Sequence, residues 1–269
     1  MPNLHDLANR FRALHSTGRP LVLPNAWDTA SARIIAEAGA PAIATTSAGV
    51  AWDLGAADGE RLDRAAALEQ AVRIAAAVDV PVSADIEGGY AQDADGVAAT
   101  VRQVLDAGIV GVNIEDGPRP AAEHARRVAA ARAAADAVGV PLFVNARIDV
   151  YLADIGAGPD RLEETLKRAA ACLAAGADGI FVPGVTDPPT VAALAQGIDA
   201  PLGVMAGPGA PDVAELGRLG AVRVSVGPAI AQAAHALVRS AARELLERGT
   251  YGALAGGYDY GELDALLGS

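Results

Sequence analysis

Lysine, cysteine and histidine are scarce in this chain, and each scarcity removes a chemistry. The one lysine, Lys167, lies in Arg161-Leu162-Glu163-Glu164-Thr165-Leu166-Lys167-Arg168, which reads as helix, and the one cysteine, Cys172, falls on the same predicted helix. A site built at strand ends therefore has neither a Schiff-base lysine nor a cysteine nucleophile. A lone cysteine also excludes an internal disulfide and fits a reducing cytoplasm. The four histidines, His5, His15, His124 and His235, stand away from every predicted strand end, which argues against a histidine-ligated zinc site. Positive charge is in deficit: 21 Lys and Arg against 33 Asp and Glu leave a net charge of −12. Such a chain offers no basic face to nucleic acid or an anionic membrane. No uninterrupted apolar run reaches the roughly 18 residues of a membrane helix. The first residues, Met1-Pro2-Asn3-Leu4-His5-Asp6, lack the basic and apolar regions of a signal peptide.

What the chain has instead is carboxylates at the ends of apolar runs. Val80-Pro81-Val82-Ser83-Ala84 reads as a buried strand and ends in Asp85-Ile86-Glu87-Gly88-Gly89-Tyr90. In an extended chain Asp85 and Glu87, two apart, point to the same side. The pattern returns at Ile109-Val110-Gly111-Val112-Asn113-Ile114-Glu115-Asp116 and at Pro141-Leu142-Phe143-Val144-Asn145-Ala146-Arg147-Ile148-Asp149. Three carboxylates at one mouth, Asp85, Glu87 and Glu115, repel each other unless a cation or an arginine joins them. Carboxylates without His or Cys select a hard cation, Mg²⁺ or Mn²⁺. Arg147 reads either as a structural partner of that cluster or as a two-pronged grip on a substrate carboxylate. Asp28, Asp116 and Asp149 read equally well as helix caps.

Periodicity places helices over 4–17, 29–38, 61–77, 94–107, 121–138, 160–175, 187–196, 211–218 and 228–247. Strands fall at 20–24, 42–46, 80–84, 109–115, 141–147, 177–182, 201–205 and 222–226. The stretch from Ser47 to Glu60, rich in Gly, Asp and Ala, reads as a long loop. Eight alternating strand–helix units predict a (β/α)₈ TIM barrel, with the active site at the C-terminal ends of the strands. No Gly-x-Gly-x-x-Gly turn follows the first strand, against a dinucleotide-binding sheet. No linker divides the chain, so residues 1–269 read as a single domain, with 228–269 a helical C-terminal segment. Gly207-Pro208-Gly209 and Gly227-Pro228 stand where barrels often bind phosphate, but proline removes the amide hydrogens that would hold an anion.

Ser47-Ala48-Gly49, Gly55-Ala56-Ala57-Asp58, Ala84-Asp85-Ile86-Glu87-Gly88-Gly89-Tyr90, Asn113-Ile114-Glu115-Asp116 and Asn145-Ala146-Arg147 together resemble the isocitrate lyase/phosphoenolpyruvate mutase superfamily, in chain order over most of the sequence. The resemblance implies a barrel that binds Mg²⁺ and a 2-oxo acid or its enolate. It implies that Asp85 binds the metal directly, that Glu87 and Glu115 hold it mostly through water, and that Asp58 stands beside it. Main-chain amides near Ser47, Ala48 and Gly49, with Arg147 and Asn145, would hold the substrate. It also implies a homotetramer in which the last barrel helix, here in the segment after Gly227, is exchanged between subunits. Two departures stand out. The family usually has Asp where this chain has Glu87. Its lyases carry a Lys-Lys-Cys-Gly-His-like loop where this chain has Gly117-Pro118-Arg119-Pro120-Ala121-Ala122-Glu123-His124, and the Lys- and Asn-bearing loop of the phosphonate-handling members is absent too.

These features predict a cytoplasmic, Mg²⁺-dependent lyase or decarboxylase that cleaves a carbon–carbon bond of a small oxo- or hydroxy-carboxylate through an enolate. A carbon–phosphorus bond enzyme and a barrel that binds a metabolite without turnover are the alternatives. With no thiol at the site, a proton donor supplied by the enzyme is expected among Tyr90, His124, a carboxylic acid and metal-bound water. His124 draws attention because it lies in the replaced loop and titrates near neutrality.

Overall fold

The computed structural model describes residues 3–16, 18–157 and 159–268. From the N-terminus run α1 (Leu4–Leu14), β1 (Leu21–Leu23), β2 (Asn25–Ala26), α2 (Thr29–Glu37), β3 (Ile43–Thr45), α3 (Ser47–Asp53), α4 (Arg64–Ala76), β4 (Val82–Asp85), α5 (Ala94–Asp106) and β5 (Gly111–Glu115). There follow α6 (Ala121–Asp136), β6 (Phe143–Arg147), α7 (Pro159–Ala174), β7 (Gly179–Val182), α8 (Pro188–Gly197), β8 (Leu202–Met205), α9 (Val213–Arg218), β9 (Ala221–Ser225), α10 (Ala229–Arg248) and α11 (Tyr260–Gly268). The helix expected over 4–17 ends at Leu14, and residue 17 lies outside the described residues.

All strand pairings are parallel, in the order β1-β9-β8-β7-β6-β5-β4-β3-β2. Nine strands replace the eight expected because the first barrel strand is in two pieces. β1 pairs with β9 and β2 pairs with β3, so the two pieces lie on either side of the seam. Pro24 sits between them; it has no N–H to continue a ladder. The result is a nearly closed barrel with helices around it. Strands buried on both faces explain the near-continuous apolar runs seen in the sequence.

The end of the barrel away from the strand C-termini is plugged by α1. Phe11 meets Phe143 edge-on, with ring centroids 5.8 Å apart, and His15 stacks on Phe143 at 3.9 Å. A Cβ at Gly111 would lie 2.6 Å from the Phe11 ring, so only glycine leaves room for the plug. Parallel register then lines alternate residues up inside the barrel: Asp85 opposite Asn113, Asn113 opposite Asn145, Glu115 opposite Arg147 and Met205 opposite Ser225.

The expected loop from Ser47 to Glu60 instead opens with α3. Composition hid this helix, because glycine lowers helix propensity, but tertiary packing overrides it. Residues 47–51 are buried, and a Cβ at Gly49 would stand 2.7 Å from Thr46 Cγ2 and 2.8 Å from Trp27 Cβ.

Candidate active site

A cavity of about 190 Å³ opens at the C-terminal mouth of the barrel. It is lined on one side by Ser47, Ala48, Asp58, Asp85, Asn113 and Arg147. Wider clefts, of about 530 and 560 Å³, lie beside His15 and Arg19 at the plugged end and beside Arg33 and Leu266, but neither gathers the strand-end carboxylates.

Arg147, at the end of β6, ties the site together. Its Nη1 stands 2.7 Å from Glu115 Oε2 and 3.8 Å from Asp85 Oδ2. Its Nε and Nη2 donate to the two oxygens of Asp149 at 2.7 and 3.2 Å, a forked contact that fixes the guanidinium plane. Asp85 Oδ2 also accepts from the Ser47 hydroxyl at 3.1 Å, and its Oδ1 accepts from the Glu87 amide at 3.2 Å. Both readings of Arg147 thus remain joined in one residue: it pairs the cluster and it faces the cavity.

One cation does not neutralise this cluster. Burial raises the Glu115 carboxyl to about 8, with Arg147 opposing and Asp85, Asp149 and Glu87 adding to the rise. Burial raises Glu87 to about 7 and lifts Asp85 and Asp149 above the usual carboxylate range. For Arg147 burial alone would lower the pKa, but Glu115, Asp85 and Asp149 outweigh it and raise it. The upward shifts come first from burial and then from the crowding of carboxylates, and a bound cation would oppose both.

Asp85 and Glu87 do not point the same way, as an extended chain would have them. β4 ends at Asp85, and Glu87 sits in the left-handed region at φ 48°, a conformation that costs a non-glycine residue roughly 1–2 kcal/mol. Its carboxylate turns from the cavity to accept from the Tyr90 hydroxyl at 3.0 Å and from the Glu60 amide. Among the described residues no three His, Cys, Asp or Glu side chains form a ready-made metal shell. The residues nonetheless suit Mg²⁺. Asp85 and Asp58 present only hard oxygens to the cavity, and Mg²⁺ keeps several waters and needs one or two carboxylates.

Several expected residues are placed elsewhere. Gly49 lies behind the cavity, and its amide is spent on the Thr46 hydroxyl that caps α3. Asn145 lies beneath, donating to Asn113 Oδ1 at 2.8 Å, and does not line the cavity. Tyr90 has its hydroxyl committed to Glu87, and burial raises its pKa further. His124 is the clearest correction. It is fully buried on α6, neither ring nitrogen has a hydrogen-bond partner, and burial beside Arg119, Arg168 and Arg127 lowers its pKa to about 3. A neutral, enclosed imidazole cannot deliver a proton to the mouth. Cys172 is buried on α7 with its thiol pushed up to about 12, and Lys167 is exposed on the same helix.

Asp28 does cap α2, accepting from Ser31 N at 2.6 Å. Asp116 is no cap: it is wholly buried and joins strand ends, accepting from Asp149 N at 2.9 Å and from Arg168 at 2.7 Å. Two arginines escaped sequence reasoning. Arg223 on β9 is buried inside the barrel and donates to Asn113 Oδ1 at 3.2 Å; burial lowers its pKa to about 10, so it stays charged. Its signal was present, a basic residue inside the apolar run Ala221-Val222-Arg223-Val224. Arg127 on α6 donates to the carbonyls of Gly88, Ala91 and Gln92, each at 2.8 Å, and clamps the turn that carries Glu87 and Tyr90. Nothing local marks it, because Arg126-Arg127 reads as an ordinary helix surface.

Known proteins resemble this chain in sequence and fold. The oxaloacetate decarboxylase of Pseudomonas entomophila is 34% identical over 229 residues, covering 82% of this chain and 78% of its own. A structure of 2,3-dimethylmalate lyase superposes with a TM-score of 0.86 at 27% identity, covering 97% of this chain and 95% of that one. An oxaloacetate acetylhydrolase in complex with oxalate superposes with a TM-score of 0.85 at 26% identity, covering 97% and 94%. The phosphoenolpyruvate phosphomutase family profile matches residues 11–246. With the strand-end carboxylates, the paired arginine and the nearly closed parallel barrel, this establishes that the chain belongs to the phosphoenolpyruvate phosphomutase family, within the isocitrate lyase/phosphoenolpyruvate mutase superfamily.

Proposed function

We propose that this protein is a Mg²⁺-dependent lyase or decarboxylase that breaks a carbon–carbon bond of a small 2-oxo or hydroxy carboxylate through an enolate. The observation that carries the reading is the cluster of Asp85, Glu115 and Asp149 around Arg147 at the mouth of the cavity, with more negative charge than one arginine neutralises. The relatives' chemistry supports it: an oxaloacetate decarboxylase and a dimethylmalate lyase both act on small carboxylates.

Asp85 would hold the cation directly, with Glu87 and Glu115 reaching it through water. When bound, Mg²⁺ supplies Lewis-acid stabilisation of the negative charge that develops on an enolate oxygen. Arg147 orients the substrate carboxylate and is itself held in plane by Asp149. Ser47 and Ala48 form the cavity wall beside it, and the Ser47 hydroxyl keeps Asp85 in place. Asp58, exposed and lining the cavity, would stand beside the metal. Tyr90 acts through Glu87. Without a thiol or an accessible imidazole at the cavity, solvent is the simplest source of the final proton.

The test is a panel of 2-oxo and hydroxy acids assayed for pyruvate or CO₂ release. Activity should vanish in chelator and return with Mg²⁺ or Mn²⁺, and Asp85→Ala should abolish it. Full activity of that variant in chelator would end the metal assignment. Phosphate release from phosphonopyruvate would assign carbon–phosphorus chemistry instead, and binding of oxo acids without turnover would leave a metabolite-binding barrel. We also propose a homo-oligomer, a tetramer by the resemblance, and a cytoplasmic location. The first is supported by the unburied apolar face of α10, the second by the single free cysteine.

A further inference from the structure

Two side-chain amides line the cavity, Asn25 and Asn113. Asn25 is committed at both ends: its Nδ2 donates to Thr45 O and its Oδ1 accepts from Val226 N, both at 3.0 Å. Asn113, on β5, is committed at one end. Its Oδ1 accepts from Asn145 Nδ2 at 2.8 Å and from Arg223 Nη2 at 3.2 Å, while its Nδ2 has no hydrogen-bond partner among the described residues. Nor is that Nδ2 sealed away, as the unpartnered Nη1 of Arg223 is.

The two ends of an asparagine amide are told apart by their partners, and here the partners decide. A guanidinium only donates, so the atom of Asn113 that faces Arg223 is the oxygen. The same oxygen takes the Asn145 donor, and a flipped amide would set N–H against N–H at both contacts. Neither Arg223 nor Asn145 lines the cavity. The oxygen therefore faces away from it, and the Nδ2 hydrogens face in. Register sets Asn113 opposite Asp85, two residues before Glu115, so the donor stands on the cavity floor below the carboxylate–arginine cluster. Two donors on one carbonyl, one of them charged, polarise the amide and strengthen its N–H.

We infer that Asn113 is a substrate-binding residue: its side-chain N–H donates to an oxygen of the acid at the floor of the cavity. The inference rests on the reading that a small oxo or hydroxy carboxylate occupies this site. Carboxylate and oxo oxygens accept only, and Asp58 and Asp85, which share the cavity lining, have nothing to donate while ionised. An acid oxygen set down on the floor without a donor would lose its water and gain nothing in return. The fixed N–H also stabilises charge that grows on that oxygen as the bond breaks, with no reorganisation at that moment.

Oxalate tests this, because it carries acceptor oxygens and no further substituent. It is titrated calorimetrically into the full-length protein in saturating Mg²⁺. Asn113→Ala, which removes the donor without adding charge, should raise the oxalate Kd by about tenfold or more. Asn113→Asp, which sets a like charge in its place above Arg223, should raise it further. Titrated without oxalate, both variants should keep their Mg²⁺ affinity. An unchanged oxalate Kd in Asn113→Ala overturns the inference and leaves the proposed function standing, and so does a loss of Mg²⁺ affinity as large as the loss of oxalate, which would make Asn113 structural. Should Asn113→Ala fail to fold, a crystal structure of the wild-type complex with Mg²⁺ and oxalate decides. An oxalate oxygen within about 3.2 Å of Asn113 Nδ2 supports the inference, and none there overturns it. If the wild-type protein binds neither oxalate nor any oxo acid, the proposed function falls and takes the inference with it.

Discussion

Arg147 is the residue on which the site's electrostatics turn. A lysine there keeps the charge but has no planar fork, so it cannot hold Asp149 bidentately while also reaching Glu115 and Asp85. Arg147→Lys is expected to lower kcat/KM by about a hundredfold or more, the order seen when one preorganised charge-stabilising donor is removed, as steady-state kinetics would measure. The pKa values also set a direction for stability. Glu87 and Glu115 are raised to about 7 and about 8, above their unfolded values, so near neutral pH the folded chain binds more protons than the unfolded one. Their contribution is full below the unfolded carboxylate range and is lost as pH rises through 7 and 8. The metal-free protein should therefore show a falling Tm from pH 6 to 8.5, and Mg²⁺ should reduce that fall. A Tm that rises over this range would contradict the assignment. His124 has the opposite sign. Its folded pKa, lowered to about 3, means that acidification must charge a buried ring, so stability is lost as pH falls below the ordinary histidine range. His124→Leu should flatten that acid limb and leave the rate near that of the wild type.

At the scale of elements, the turn after β4 carries the most consequence. Glu87 and Tyr90 both hold left-handed φ angles, 48° and 49°, and such strain persists only where the surroundings over-determine it. Arg127 supplies that determination from α6 through three carbonyls, although it lies outside the cavity. Arg127→Ala would leave those carbonyls unpaired and should cost about 3 kcal/mol. It should also weaken Mg²⁺ binding by calorimetry; unchanged affinity would show that the turn holds itself. At the opposite end, Gly111→Ala drives a methyl into Phe11 and Ser83, with contacts of 2.6 and 2.9 Å. Overpacking of this kind costs about 1–3 kcal/mol, and chemical denaturation should register it with metal affinity intact, because the plug and the mouth lie at opposite ends of the strands.

The whole molecule is unfinished along α10. That helix runs twenty residues and buries only Ala231, while Leu237, Val238, Leu245 and Leu246 stay exposed, Leu246 at 85%. Beyond it Tyr251, Leu254, Tyr258 and Tyr260 are exposed as well. Apolar area of this extent on one segment marks an interface. Light scattering at micromolar concentration should find an oligomer. Val238→Glu with Leu246→Glu, or truncation near Thr250, should shift it toward smaller species. A wild-type monomer would contradict the proposal.

Sequence alone determined what depends on local pattern and on residue supply. Strand–helix alternation, the caps such as Asp28, the carboxylates at the ends of β4 and β5 and the arginine at the end of β6 were all legible, because each is written in a few consecutive residues. So was the scarcity of lysine, cysteine and histidine, because folding cannot add residue types to a chain. Tertiary structure decided what depends on residues far apart in the chain. It broke the first strand at Pro24, made a helix of the glycine-containing Ser47–Asp53 by burying it, and turned Glu87 away from Asp85 by fixing a left-handed backbone. It enclosed His124, whose loop position suggested access, because α6 packs that face inward. It also brought Leu152, Phe181, Met205 and Pro228 together from separate segments into one uncharged wall. Burial and packing are sums over the whole chain, and no short stretch of sequence contains them.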